Sequence, residues 1–364
     1  VFMVKLGVMA LLALPATAAI GATVPALVRA SPHEPALPGR ALAASSFGNC
    51  AGYLAAVLVV LAHADEALAL GLLALAFALL CLWLLGRNPG RGLATVVASA
   101  CVLAFALPLH WPAQLAHLDY GSFLEPRELA RVLAETKRVE HIRRYNSQLT
   151  ILYTAQGGKL FTVNGYSSVA ANEDGETNVR EVLVGVAPAL YAPRRERALV
   201  LGTGSGVTAG AAALMFEHVD TVEIDPAVQA ALPRFAEQNF DLLARDNVEL
   251  IVADGLTQLS RSDAHYDVII NTVTSPVYFS SSKLYSRELF ELAKTRLRPV
   301  GFYPRWLDGR LTDEGAAILL ETMRQSFDEC HFVVLTHLYV NAICGDTLRP
   351  RALPEGAWPE RLQR

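Results

Sequence analysis

Gly202, Gly204 and Gly206 occupy alternate positions in the run VLGTGSGVTAG, between an apolar stretch and a stretch of small residues. Glycines so spaced let a backbone turn tightly at a strand end and approach a ligand closely. Glu223, in VEID, follows 21 residues after Gly202, and Asp254 with Gly255 closes VELIVADG. A carboxylate at the first place can take both hydroxyls of a ribose in a bidentate hydrogen bond, and one at the second can accept from an adenine amino group. Asp254 has a rival role as the cap of the helix after it, and Asp225 is read mainly as the cap of a helix opening at Pro226. A dinucleotide fingerprint would need a further glycine at 207, where the chain has Val207, and this weighs against NAD. Taken together, the three elements point to an adenosine-containing ligand.

These residues can converge only if strands and helices alternate around them. From residue 198 the pattern does alternate. ALVLGTG, VDTVEID, VELIVAD, YDVIIN and GFYPRWL read as strands, the last despite Pro304. GVTAGAAALMF, PAVQAALPRFAEQNF (interrupted by Pro233), RELFELAKTRLRP and DEGAAILLETMRQSF read as helices. Such alternation predicts a parallel sheet with helices on both faces. The closing CHFVVLTHLYVNAIC reads as a hairpin turning near His337–Leu338, which completes a Rossmann-like, seven-stranded, methyltransferase-type α/β sheet. Cys330 and Cys344 flank it, and the sequence leaves open whether they are two free thiols or a cross-strand disulfide, which would favour an oxidising compartment. No zinc-type CxxC spacing occurs, so no metal site is expected.

Before this core, LTILYTA, KLFTVNG and SSVAA, with Gly157–Gly158 and Asn164–Gly165 as turns, predict a small antiparallel β-subdomain over 147–176. A helix is expected across 178–190. EPRELARVLAETKRVEHIRR, in the connector 113–146, has good helix formers and predicts a solvated helix. The core is assigned to 177–348 and a tail to 349–364.

The first 112 residues differ in kind. They carry eight charged side chains: Lys5, Arg29, Glu34, Arg40, Asp65, Glu66, Arg87 and Arg91. Apolar stretches at 6–27, 47–63, 67–85 and 93–109 each have about the length that crosses ~30 Å of hydrocarbon. About four transmembrane helices in a plasma (inner) membrane are therefore expected, with the lipid bilayer as a partner. The arginines lie between the first and second stretches and between the third and fourth, which by the positive-inside rule would put the remaining domain outside. An adenosyl ligand made in the cytosol argues for the cytoplasmic side, and the crevice is given the greater weight. The net charge of −4 gives no pull toward nucleic acid.

The motifs LFTVNGYSS, VLGTGSGVTAGAAA, VEIDPAV, VADG, YDVIINTVTSP and LYSRELFELAKTRLRPVGFYPRWL resemble those of membrane-fused spermidine synthase-like proteins, of the polyamine aminopropyltransferase family. The resemblance spans about 149–346. It implies decarboxylated S-adenosylmethionine as donor, a putrescine-like amine as acceptor and a homodimer, with Glu223 on the ribose and Asp254 on the adenine. S-adenosylmethionine, with methyl transfer to another acceptor, is the alternative ligand, and an inactive binding or scaffolding module is a further reading.

The resemblance also exposes departures. The family turn carries an acid four residues before its proline; here that position is Thr272, and Ser275 precedes Pro276. A family Tyr-His-Glu run corresponds to the stretch near Val179, Arg180 and Glu181, and a family glutamine to Ser168. Glu173, Asp174 and Asp308, placed just beyond the fifth strand, are the nearest candidates for a substitute acid, although each also reads as an exposed loop carboxylate. Loss of a general base costs about 10²–10⁴ in rate, so the nucleoside half is expected to be intact and the amine half altered.

Overall fold

The computed structural model describes residues 25, 29, 33–55, 134–144, 147–163, 166–171, 176–273, 279–308, 311–336 and 339–352. The chain divides into two compact units, Val1–His110 and Trp111–Arg364.

In the first unit, helix α1 spans Leu37–Ala55. It starts ten residues before the expected span at 47–63, and it includes Arg40, Ser45, Ser46 and Asn49. These polar residues dilute its hydropathy, and among the described residues no helix is long and apolar enough to cross a membrane. The stretches at 67–85 and 93–109, and nearly all of 6–27, lie outside the described residues.

The second unit holds two sheets. The smaller is a four-stranded antiparallel meander of β1 (Thr136–Arg144), β2 (Ser147–Thr154), β3 (Lys159–Val163) and β4 (Tyr166–Ala171), in that order. Its first strand corrects the sequence reading, which placed residues 136–144 on a solvated helix and began the subdomain at 147. The helix formers of TKRVEHIRR are overridden because the segment has a strand to pair with: Val139 lies opposite Leu152 and Ile142 opposite Leu149. Ile142, Leu149, Ile151 and Phe161 are then buried against Ala227, Val228, Ala231 and Phe235 of the core. Burial of this kind outweighs a propensity difference of a few tenths of a kcal/mol per residue. The turn at Gly157 is as expected, with φ +94°; the one at Asn164–Gly165 lies outside the described residues.

Helix α2 (Val179–Val186), capped by Asn178 and continued by a 3-10 turn at Ala187–Leu190, leads into the large sheet. That sheet contains β5 (Arg197–Leu201), β6 (His218–Glu223), β7 (Val248–Val252), β8 (Tyr266–Asn271), β9 (Leu297–Asp308), β10 (Glu329–Thr336) and β11 (Tyr339–Gly345). Their spatial order is β10-β11-β9-β8-β5-β6-β7. β5 to β9 run parallel, whereas β11 is antiparallel to β9 and β10 to β11. This is the predicted seven-stranded plan. β8 is buried at all six positions, as a central parallel strand covered on both faces must be. Helices α3 (Val207–Ala213), α4 (Pro226–Ala231), α5 (Gly255–Arg261), α6 (Arg287–Arg296) and α7 (Asp313–Ser326) supply the connections. Asp308 ends β9 rather than lying beyond it.

The terminal hairpin settles the cysteine question. Cys330 and Cys344 are direct cross-strand partners, their Cα atoms are 4.1 Å apart, and they form a disulfide. The Cys344 side chain is buried in the core.

Candidate functional site

The glycine loop leaves β5 and enters α3 with Gly202, Gly204 and Gly206 at φ +90°, +54° and +84°. At Gly202 a Cβ would also lie 2.9 Å from the Thr272 hydroxyl oxygen, so the loop needs glycine there for conformation and for space. Around Gly204, chain neighbours aside, the nearest atom among the described residues to such a Cβ is the Phe161 ring edge, at 3.9 Å. The loop is therefore tight where it meets the core and open at its middle, where a ligand backbone contact would form.

Glu223 closes β6 beside this loop, and its side chain is buried. One carboxylate oxygen accepts from the N–H groups of Thr203 (3.1 Å) and Gly204 (3.2 Å), and the other from the N–H of Asp225 (3.0 Å). Burial pushes the Glu223 pKa up, helped by the nearby Asp225 charge, while the three N–H donors oppose the shift. A carboxylate has about four acceptor positions, so the clasp on the loop leaves capacity for a ligand hydroxyl. The sequence pointed to Glu223 as a ligand residue; its bracing of the glycine loop is visible only in the structure.

Asp225 caps α4 by accepting from Ala227 N–H at 2.8 Å, as expected. It also accepts from the Ser147 hydroxyl, which ties the small sheet to the core. Asp254 caps α5, accepting from Thr257 N–H at 3.0 Å, and pairs with Lys283. Burial raises its pKa, but the bonds from Lys283 and Thr257 outweigh this and lower it overall. The capping role expected of Asp254 is present; the Lys283 partner was not foreseen. Gly255 opens α5 next to Leu201 and Leu284, so it lies against the end of β5.

Thr272 follows β8 directly. Its N–H donates to Leu201 O at 3.0 Å. Its hydroxyl donates toward Gly202 O at 2.5 Å and Leu201 O at 3.0 Å. At the position where the family resemblance places an acid, the chain has a donor that braces the glycine loop. Ser275, Glu173 and Asp174 lie outside the described residues, as do the side chains of Ser168 and Asp308. Glu181 is placed near the loop helix by the close packing of α2 on α3, where a Cβ on Gly185 would lie 2.8 Å from Ala211 Cβ. Its carboxylate accepts from the Thr208 hydroxyl at 2.9 Å, and burial raises its pKa against that bond.

A group of residues beside Thr272 was not singled out by sequence reasoning. Asn271 donates to Tyr303 OH (2.7 Å) and Leu284 O (3.2 Å) and accepts from Val273 N–H (3.0 Å). Tyr285 OH donates to Val273 O at 2.7 Å. Arg305, directly across from Asn271 on β9, donates to Leu284 O at 2.8 Å, and its guanidinium lies 3.3 Å from the Tyr285 ring centroid. The available signal was a charged residue inside the apolar strand FYPRWL.

A seven-stranded Rossmann-like sheet whose glycine loop is clasped by an acid from the next strand defines a methyltransferase-type fold. The comparisons narrow this class. Residues 176–337 match the family model for the spermine/spermidine synthase domain. A polyamine aminopropyltransferase of Thermococcus kodakarensis is 31% identical over 233 residues, which cover 58% of this chain and 73% of that protein. The chain therefore belongs to the polyamine aminopropyltransferase family. Thermospermine synthase ACAULIS5 of Arabidopsis thaliana is 25% identical over 159 residues, and there the match spans 46% of the relative. A crystal structure of spermidine synthase with the transition state analogue AdoDATO superimposes with a TM-score of 0.53 at 16% identity, covering 59% of this chain and 76% of that one. At that identity the likeness is one of fold.

Proposed function

We propose that this protein is an aminopropyltransferase-type enzyme that binds an S-adenosyl sulfonium donor in the crevice formed by the glycine loop, Glu223 and Asp254, and that its acceptor site departs from that of a diamine-binding relative. The observation that carries the reading is the clasp of Glu223 on the N–H groups of Thr203 and Gly204, which fixes the conformation of the glycine loop. Family membership supports the transfer chemistry. A neutral amine nitrogen attacks the carbon next to the sulfonium; a C–N bond forms, the C–S bond breaks, and its electron pair stays on sulfur as a neutral thioether. The new ammonium then loses a proton. A carboxylate at 272 would serve as the base; Thr272 cannot, because a neutral hydroxyl is far too weak a base, and its own proton is held by the loop. The altered acceptor site is our inference from this substitution.

The test is twofold. Calorimetry with 5′-methylthioadenosine reads the nucleoside site, and turnover of decarboxylated S-adenosylmethionine with putrescine reads the transfer. Nucleoside binding with slow or no transfer to putrescine is the expected result. Failure to bind any adenosyl ligand would remove the proposal.

The charge-poor residues 1–112 support attachment to the plasma membrane, and the origin of the donor supports a cytoplasmic catalytic domain. The Cys330–Cys344 disulfide and the arginine distribution favour the opposite side. A topology reporter fused after residue 126 decides between them.

A further inference from the structure

Lys283 comes from the segment after the β8 exit, where it opens a 3-10 turn over Lys283–Tyr285. That turn is pinned to the carboxyl ends of the central strands. The Leu284 carbonyl accepts from both Asn271 Nδ2 (3.2 Å) and Arg305 Nη1 (2.8 Å), and the Tyr285 hydroxyl donates to Val273 O (2.7 Å). The Tyr285 ring also lies against the Arg305 guanidinium. The turn also meets the start of α5: a Cβ on Gly255 would lie 3.9 Å from a Leu284 methyl carbon. Buried groups on β8 and β9 therefore fix the backbone from which Lys283 reaches Asp254, just beyond β7.

The pair has hydrogen-bonding capacity left over. Each carboxylate oxygen has about two acceptor places. Both places on Asp254 Oδ1 are used, by the N–H (3.0 Å) and the hydroxyl (3.2 Å) of Thr257. Among the described residues Oδ2 takes only the Lys283 ammonium, so one place remains. The ammonium has three donors and spends one of them on Asp254. Oδ2 and Nζ thus stand side by side as an acceptor and a donor. The Lys283 side chain is 45% exposed and that of Asp254 22%, so a ligand can reach both. They lie at the carboxyl ends of the parallel strands, where ligands of such sheets bind.

An adjacent acceptor and donor match one edge of adenine, where the 6-amino group donates and the neighbouring N7 accepts. We propose that Asp254 and Lys283 read this edge together: Lys283 donates to N7 while Asp254 accepts from the amino group. Lys283 is then a base-specificity residue of the adenosyl site. The inference rests on the proposed nucleoside reading of this crevice and adds Lys283 to it. A 6-oxo purine would set a carbonyl oxygen against the Asp254 carboxylate, so the pair selects adenine among purines.

The test compares 5′-methylthioadenosine with its 7-deaza analogue, in which a C–H replaces N7 and the amino group is kept. Calorimetry on the full chain is expected to show the parent nucleoside binding about 10-fold more tightly. That is the lower end for a charge-assisted hydrogen bond, because the pair is partly open to water. Lys283→Met should bring that ratio to about one, and Lys283→Arg, which keeps a charged donor, should retain part of it. A ratio within one protein cancels any fraction that fails to fold, and the wild-type ratio stands without either variant. Binding of 5′-methylthioadenosine with a wild-type ratio near or below one overturns this inference alone, as does a preference that survives in Lys283→Met. Failure of 5′-methylthioadenosine to bind overturns the proposed function and this inference with it.

Discussion

Replacing Thr272 by Val isolates the proton on which the turn depends. Valine keeps the branched shape and removes the hydroxyl. That hydroxyl carries a single proton, shared between Gly202 O at 2.5 Å and Leu201 O at 3.0 Å. Leu201 O keeps a second donor, the Thr272 N–H, so the main loss falls on Gly202 O. One intramolecular hydrogen bond contributes about 0.5–1.5 kcal/mol net, and an acceptor left without its donor costs about 1–3 kcal/mol when buried. Thr272 is half-buried, so water recovers part of this, and the destabilisation expected from these two terms is about 1–2 kcal/mol. Thr272→Ser keeps the proton and should lose less. Thr272→Asp, which restores the family's acid, should lose more than Val at neutral pH, because a carboxylate would then face two carbonyl oxygens with nothing to donate. Stability from urea unfolding and affinity from titration with 5′-methylthioadenosine should fall together across Ser, Val and Asp. If Val and Ser are indistinguishable in both measurements, the hydroxyl does not hold the loop and the reasoning is wrong. A stability loss without any change in nucleoside affinity would refute the link from turn to ligand.

Other perturbations follow from the same geometry. Glu223→Gln leaves one acceptor oxygen for three N–H groups and should cost about 1.5–3 kcal/mol of stability or nucleoside binding, read by unfolding and by calorimetry. Glu181 and Glu223 both have pKa values raised by burial from the ordinary 4.5. The native state therefore holds their protons more tightly than the unfolded chain, and stability should fall as pH rises from about 4.5 through the raised values. Glu181→Gln should flatten that dependence in urea titrations at several pH values, and an unchanged slope would count against it. Reduction of Cys330–Cys344, which closes a sequence separation of 14, should lower stability by about 3 kcal/mol, seen as a shift of the unfolding midpoint with reductant.

Some of this protein was legible because the relevant physics is local. The strands β5, β6 and β7 are short apolar runs that end at or just before a glycine or an acid, and β8 is an apolar run closed by Asn271; each was located from its local pattern. Asp225 before Pro226 announces a helix start, since proline has no N–H to satisfy and the carboxylate serves the next one. Residues 136–144 misled because Glu, Lys and Arg favour a helix in isolation, while the strand exists only through its pairing with β2. Thr272 was marked as a site where an acid is missing; that it instead donates to a loop 70 residues away is a long-range fact. Asp254 is seen in its capping role on α5, and its pairing with Lys283, 29 residues away, had no local signal. The cysteines had two states open, and the register of β10 on β11 chose the disulfide.

By itself, the sequence determined the order of the elements, the glycine loop and the acids that face it, because periodicity, turn chemistry and capping act within a few residues. Tertiary structure alone decided which carboxylate braces the loop, what Thr272 does, and that the cation of Arg305 lies buried beside them. Those outcomes depend on strands brought side by side from distant parts of the chain, and on the cost of burying polar groups that must then find partners.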